Sequence, residues 1–186
     1  MSEFQRIGSF LPVFANLELD QYLAKNPPPV LLQDITKGVF RMIGGKSGET
    51  AELLLEADSQ ARESAESNLS SVPRETAYLV ASLKSRLDTG ATRLIIGSSA
   101  ACDIIVGDDR VSPQHAHIQW EGGVYYLEDN NSENGTWLDA SLLKPGQVYR
   151  LNPGDLIVIG GTDLIFLDPA GFYHFVRRYL GVQGTR

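Results

Sequence analysis

The chain has a single cysteine, Cys102, among 186 residues. One thiol cannot build an internal disulfide framework, and its isolation fits a reducing compartment. Apolar runs stay short, well below the ~18 residues that a membrane span requires. The N-terminal MSEFQRIGSF lacks the basic stretch followed by an apolar one that marks a secretory leader. Positive charge is also scarce. Sixteen Lys and Arg stand against 23 Asp and Glu, a formal net charge of -7, with no basic stripe to offset it. Such a surface repels a phosphate backbone, so nucleic acid is not an expected partner. These absences lead to the expectation of a cytoplasmic protein without a membrane span. Chemistry-bearing motifs are missing as well: no P-loop, no nucleophile elbow and no metal-ligand cluster. No catalytic residue, metal or cofactor is therefore expected, and the chain reads as a non-enzyme. The acidic pairs Asp108-Asp109 and Glu128-Asp129 sit in turn-like contexts and read as solvated turns.

What is present changes character near Pro73. From Tyr78 onward, YLVASL, RLIIGS, DIIVG, HAHIQW, VYYLED, GTWLD, QVYRL, LIVIGG and TDLIFLD read as strands. They are rich in β-branched and aromatic residues and are separated by Gly, Asn, Asp and Pro. In HAHIQW, alternation puts Ala116, Ile118 and Trp120 on one face and His117 and Gln119 on the other. Gly122-Gly123 signals a hairpin. Strands this closely spaced, with no long helix between them, predict an antiparallel sandwich or barrel. Ile96, Ile104, Ile118, Leu127 and Phe166 are expected in its core.

The first half reads as helical and patchy. Leu32, Ile35, Val39 and Ile43 recur at helical spacing after Pro27–Pro29 and before Gly44-Gly45, which predicts a helix within residues 28–43. Residues 16–25 carry Leu19, Tyr22 and Leu23 on one face with Asn16 as a cap. Phe4, Ile7, Phe10, Leu11 and Phe14 also share a helical face, interrupted by Pro12. Residues 51–73 are a polar linker or frayed helix. Residues 1–43 hold too little apolar surface to fold alone but too much to leave exposed. They are expected to dock on the sandwich, on a second copy or on a partner. Deleting residues 1–45 is expected to leave the sandwich folded. At the far end Asp168 can cap a helix begun by Pro169, with Phe172, Phe175, Val176, Tyr179 and Leu180 on one face.

Four strings fall in a telling order: IIGSSAACDIIV, VSPQHAHI, NNSENGTWLDA and LNPGDLIVIG. Each is weak alone, but their order and spacing resemble the forkhead-associated (FHA) family over roughly residues 74–168. The resemblance implies a mainly β, antiparallel FHA-type sandwich. A short helical extension (1–50) and the linker (51–73) precede it, and a C-terminal helix and tail (169–186) follow. It also implies a protein-binding module whose loops often take up a phosphothreonine peptide. Carried onto this chain, the binding candidates are Ser98, Arg110, Ser112, Glu133 and Asn134. Gly97, His115, Gly135 and Thr136 support the loops. Ser112 corresponds to the phosphate-contacting serine and Asn134 to the residue that holds the peptide backbone.

Three departures weaken an anion site. Ser98 stands where the family has an arginine, so a hydroxyl replaces a guanidinium. Glu133 stands where a Thr or Ser is common, and Pro113 after Ser112 lacks an N–H. A charge-assisted hydrogen bond contributes about 1.5–3 kcal/mol against about 1 for a neutral one. Arg110, two residues before Ser112, is a candidate replacement cation. Two readings of the partner stay open. One is a signalling adaptor or scaffold that binds a protein independently of phosphate, which the charges favour. The other is a phosphothreonine-peptide reader in Ser/Thr kinase signalling that uses Ser112, Asn134 and Arg110.

Overall fold

A computed structural model of the chain describes residues 4–14, 17–34, 78–83 and 93–179. Its strands are β1 (Gln5–Arg6), β2 (Val30–Asp34), β3 (Tyr78–Ser82), β4 (Arg93–Gly97), β5 (Ile104–Ile105), β6 (Ala116–Glu121), β7 (Val124–Asp129), β8 (Thr136–Leu138), β9 (Ser141–Leu142), β10 (Val148–Leu151), β11 (Leu156–Ile159) and β12 (Thr162–Leu167). A 3-10 turn over Ile7–Ser9 and helices α1 (Leu11–Phe14) and α2 (Leu19–Leu23) lie between β1 and β2, and α3 (Pro169–Tyr179) closes the described chain. Each of the nine runs read as strands contains one.

The strands form two sheets. A seven-stranded sheet has the order β1-β3-β2-β12-β11-β8-β9, and a five-stranded sheet the order β10-β7-β6-β4-β5. Neighbours are antiparallel except β4 and β5, which run parallel. Gly122 and Gly123 join β6 to β7 with φ of 57° and 81°. This left-handed pair matches the twist of the strands it connects. Between the sheets lies an inner core in which Ile96, Ile104, Ile118, Leu127 and Phe166 are at most 1% exposed. Trp120 packs at its margin, on the same face as Ala116 and Ile118. Full burial of such side chains contributes about 1.5–3 kcal/mol each, which makes this core the main stabilising element.

The N-terminal segment departs from expectation. Residues 30–34 are not helical: they form β2, which lies between β3 and β12. Leu31 faces the inner core while Val30 and Leu32 face the opposite side. A strand buried on both faces has no polar alternation, so VLLQD shows an apolar run without the period that identifies a strand. Residues 35–43, including Ile35, Val39 and Ile43, lie outside the described residues, as do 51–73. Deleting residues 1–45 would also remove β2 from between β3 and β12, which sets the architecture against the expectation that the sandwich folds without them.

A second apolar cluster covers the outer face of the seven-stranded sheet. Val30, Leu32, Val80 and Leu167 from the strands meet Ile7, Phe14 and Tyr22 from the N-terminal segment and Phe172, Tyr173 and Val176 from α3. The Phe14 ring lies 4.9 Å from that of Tyr22 and 5.6 Å from that of Phe172. Asp168 caps α3, its Oδ1 accepting the Gly171 N–H at 2.7 Å. Glu18 is the N-cap of α2, and its N–H donates to Gln21 Oε1 at 3.2 Å; Asn16 lies outside the described residues. Thus the described part of the N-terminal segment docks on its own sandwich through Ile7, Phe14 and Tyr22. The Tyr179 and Leu180 side chains lie outside the described residues.

Candidate functional site

Loops 98–103, 106–115 and 130–135 gather at one end of the sandwich, with the turn Gly160-Gly161 beside them. Gly97 ends β4 against the backbone of Pro113, so that a Cβ at 97 would overlap the Pro113 carbonyl. This close approach lets the Ser98 N–H donate to Ser112 O at 3.1 Å and the Ser99 N–H to Pro113 O at 3.2 Å. The Ser98 hydroxyl turns inward and donates to Val111 O at 2.8 Å.

His115 is fully buried beneath these loops. The Ser112 N–H donates to its Nδ1 at 3.0 Å, which leaves the ring proton on Nε2, 3.2 Å from Gly135 O. A neutral imidazole thus ties the serine loop to the Asn134-Gly135 turn. Burial lowers its pKa below the ordinary 6.5, against the opposing pull of the Gly135 carbonyl and Asp129. A second link runs from the Glu133 N–H to Ser112 Oγ at 3.0 Å, and a third from Asn134 Nδ2 to Arg110 O at 2.8 Å. Ser112, Glu133, Asn134 and the Arg110 backbone are therefore brought together. Glu133 and Asn134 are exposed, with Ser112 half-buried between them.

Two of the acids read as solvated turns are anchors instead. Asp129 is 1% exposed and accepts from Ser132 Oγ at 2.6 Å, Ser132 N at 3.1 Å and Thr136 Oγ1 at 2.5 Å. Burial alone would raise its pKa, but these donors outweigh it and hold the carboxyl below the ordinary 3.8. Asp129 shapes the 130–135 loop, and Thr136 supports it from below. Asp108 is the second anchor. Its Oδ1 accepts from Arg110 N and Nε at 3.0 Å each, and its Oδ2 from Arg110 Nη2 at 2.9 Å and Gly161 N at 3.1 Å. The Arg110 fork holds the Asp108 carboxyl down at about 2. The signals lay in the spacings Asp108-x-Arg110 and Asp129-x-x-Ser132, patterns of local side-chain turns that also occur where nothing is buried.

His117 faces the outer surface of the five-stranded sheet, away from the loops, as its alternation requires. It is nonetheless 1% exposed, with Arg93 Nη2 2.7 Å from Nδ1 and Glu128 Oε2 2.9 Å from Nε2. The Glu128 contact is close but out of line for a hydrogen bond. Burial, reinforced by Arg93, lowers the pKa of this imidazole despite Glu128. Among the described residues, no group of three His, Cys, Asp or Glu side chains is placed to hold a metal ion. No helix among them is long and apolar enough to cross a membrane.

The family model of the FHA domain matches residues 94–160, the stretch that carries all of these loops. Residues 94–160 are an FHA domain. Protein FraH of Nostoc sp. is 47% identical over 55 residues, 30% of this chain and 19% of FraH. The FHA domain-containing protein FhaA of Mycobacterium tuberculosis is 37% identical over 71 residues, 38% of this chain and 13% of FhaA. The match thus spans less than a fifth of either relative. Among solved structures, the FhaA FHA domain complexed with the intracellular domain of Rv3910 is 30% identical, covering 47% of this chain and 86% of that one, with a TM-score of 0.40. The FHA domain here has two sheets and a loop face, and β1 and β2 from the N-terminal segment extend one of its sheets.

Proposed function

We propose that this chain is an adaptor or scaffold whose FHA loop face binds a segment of a partner protein without depending on a phosphate group. The FHA domain is a protein-interaction module, and the loop face built around Ser112, Glu133 and Asn134 is its exposed polar surface. One observation carries the phosphate-independent reading: neither position expected to supply positive charge has any uncommitted. Ser98 carries no charge and its hydroxyl is bound to Val111 O, while Arg110 is locked on Asp108 by a two-pronged ion pair. Glu133, whose backbone N–H reaches Ser112 Oγ, adds an exposed acidic residue to this loop. A phosphate of about -1.5 to -2 entering here meets neutral donors unless it displaces Asp108 from Arg110.

The phosphothreonine reading draws on Ser112. Its Oγ accepts from the Glu133 N–H, which leaves the O–H able to donate outward. Calorimetric titration separates the two readings. A degenerate phosphothreonine peptide pool and its unphosphorylated counterpart are titrated into the wild type and into a Ser98→Arg/Glu133→Thr variant. The expected result is no phosphate preference in the wild type and a preference of tenfold or more in the variant. Micromolar, phosphate-dependent binding by the wild type would sink the phosphate-independent reading in favour of the second.

A further inference from the structure

We infer that Asp108 is a built-in competitor for the anion of a binding partner: its carboxylate occupies the guanidinium of Arg110, the residue whose backbone carbonyl accepts from Asn134. This rests on the loop face being the binding surface, and it adds a reason for the site's indifference to phosphate. Two-pronged pairing of a guanidinium with an oxyanion is the geometry by which arginine recognises a carboxylate or phosphate from another molecule. Here both prongs are taken from within the chain, at 3.0 and 2.9 Å.

The surroundings fix this arrangement. The Arg110 guanidinium packs against Gly161, where a Cβ would overlap Nη2. Asp108 in turn is held in place by the Gly161 N–H at 3.1 Å and lies 3.4 Å from Thr162 Oγ1. The pair is nevertheless at the surface: the Arg110 side chain is 59% exposed and that of Asp108 16%. An ion pair so placed can exchange one carboxylate for another oxyanion, because water stabilises the released group. The Arg110 carbonyl already accepts from Asn134 Nδ2, so its side chain springs from the same point of the loop face that holds Asn134. A partner segment with an acidic or phosphorylated side chain next to its Asn134-bound residues would therefore have to displace Asp108.

The test is Asp108→Asn in the full chain, titrated with the phosphothreonine pool and the unphosphorylated pool. Unmasking Arg110 is expected to raise the ratio of phosphorylated to unphosphorylated affinity at least tenfold over the wild type, and Asp108→Asn/Arg110→Gln is expected to abolish the gain. The ratio is read against the wild type's own value, so a wild type that already prefers phosphate would remove the phosphate-independent reading and leave this comparison intact. An unchanged or lowered ratio in folded Asp108→Asn, with the fold verified by an NMR amide fingerprint, would overturn the inference and leave Asp108 as a loop anchor. A gain that persists without Arg110 would overturn it too. Asp108→Ser keeps an acceptor for the Gly161 N–H without the charge. If neither Asp108 variant gives a folded fingerprint, the residue is a structural anchor and the inference falls.

Discussion

The two apolar cores lie on opposite faces of one sheet and are assembled in different ways. The inner core joins strands that mostly follow one another along residues 78–167, through hairpins and short loops. The outer core joins the two ends of the described chain. Tyr173 Oη donates to Leu17 O across 156 residues at 2.9 Å, and Arg177 Nη1 to Phe14 O across 163 at 3.3 Å. The strand β2 belongs to both, since Leu31 points into one and Leu32 into the other. Contacts so distant in sequence carry a loop-closure cost that the folded sandwich between them reduces. The outer cluster therefore depends on the sandwich, and the sandwich depends on a strand delivered by the N-terminal segment.

Removing residues 1–34 tests this dependence most severely. The variant is expected to lose cooperative folding, because β3 and β12 would each lose a ladder and Leu31 would leave a void in the inner core. Far-UV circular dichroism and a thermal melt read the outcome, and a wild-type melt would show the N-terminal segment to be an accessory. Next in size are paired truncations, Phe166→Ala in the inner core and Phe172→Ala in the outer one. Each ring is 1% exposed, and each loss is expected to cost about 3–5 kcal/mol in urea unfolding. Both variants should keep a single transition with the wild-type denaturant slope. A cost below about 1 kcal/mol for Phe172 would separate the cores.

Acid should act on the sandwich and its loops before it reaches the outer cluster. His115 and His117 are held neutral, so an unfolded chain takes up protons that the folded one refuses. Their contribution is intact above the ordinary 6.5 and declines as pH falls below it. Asp108 and Asp129 have lowered values, so their contribution is present above the ordinary 3.8 and is lost as pH falls further, for Asp108 through about 2. Melting temperatures measured down this range should fall in two stages, and His115→Gln should flatten the first. The smallest effect concerns the cap of α3. Asp168→Ala is expected to cost about 1 kcal/mol and to speed amide exchange at Gly171 ahead of the sandwich strands.

Several elements were legible because their signals are local. Gly122-Gly123 marked a hairpin, Asp168-Pro169 marked a helix start, and alternation in HAHIQW set the faces of β6. The loop candidates Ser112, Glu133 and Asn134 were also legible, since turn chemistry and motif order placed them in loops. Other features gave local signals that pointed the wrong way. Leu32, Ile35, Val39 and Ile43 fit a helical period, yet Leu32 sits in a strand. Asp108 and Asp129 resemble ordinary turn acids, and what distinguishes them is the set of donors around them: Gly161, 53 residues away, for Asp108 and Thr136, seven residues away, for Asp129.

The sequence by itself determined the all-β core, its nine principal strands and the loops that carry the candidate site. Each follows from periodicity, turn residues or side-chain chemistry within a few neighbouring positions. Only the tertiary structure decided that residues 30–34 enter the sheet, that both ends of the described chain share the outer core, and that Arg110 is already paired with Asp108. Those outcomes depend on which partners long-range packing supplies. A strand buried on both faces and a carboxylate held by a distant turn leave no periodic trace in the chain itself.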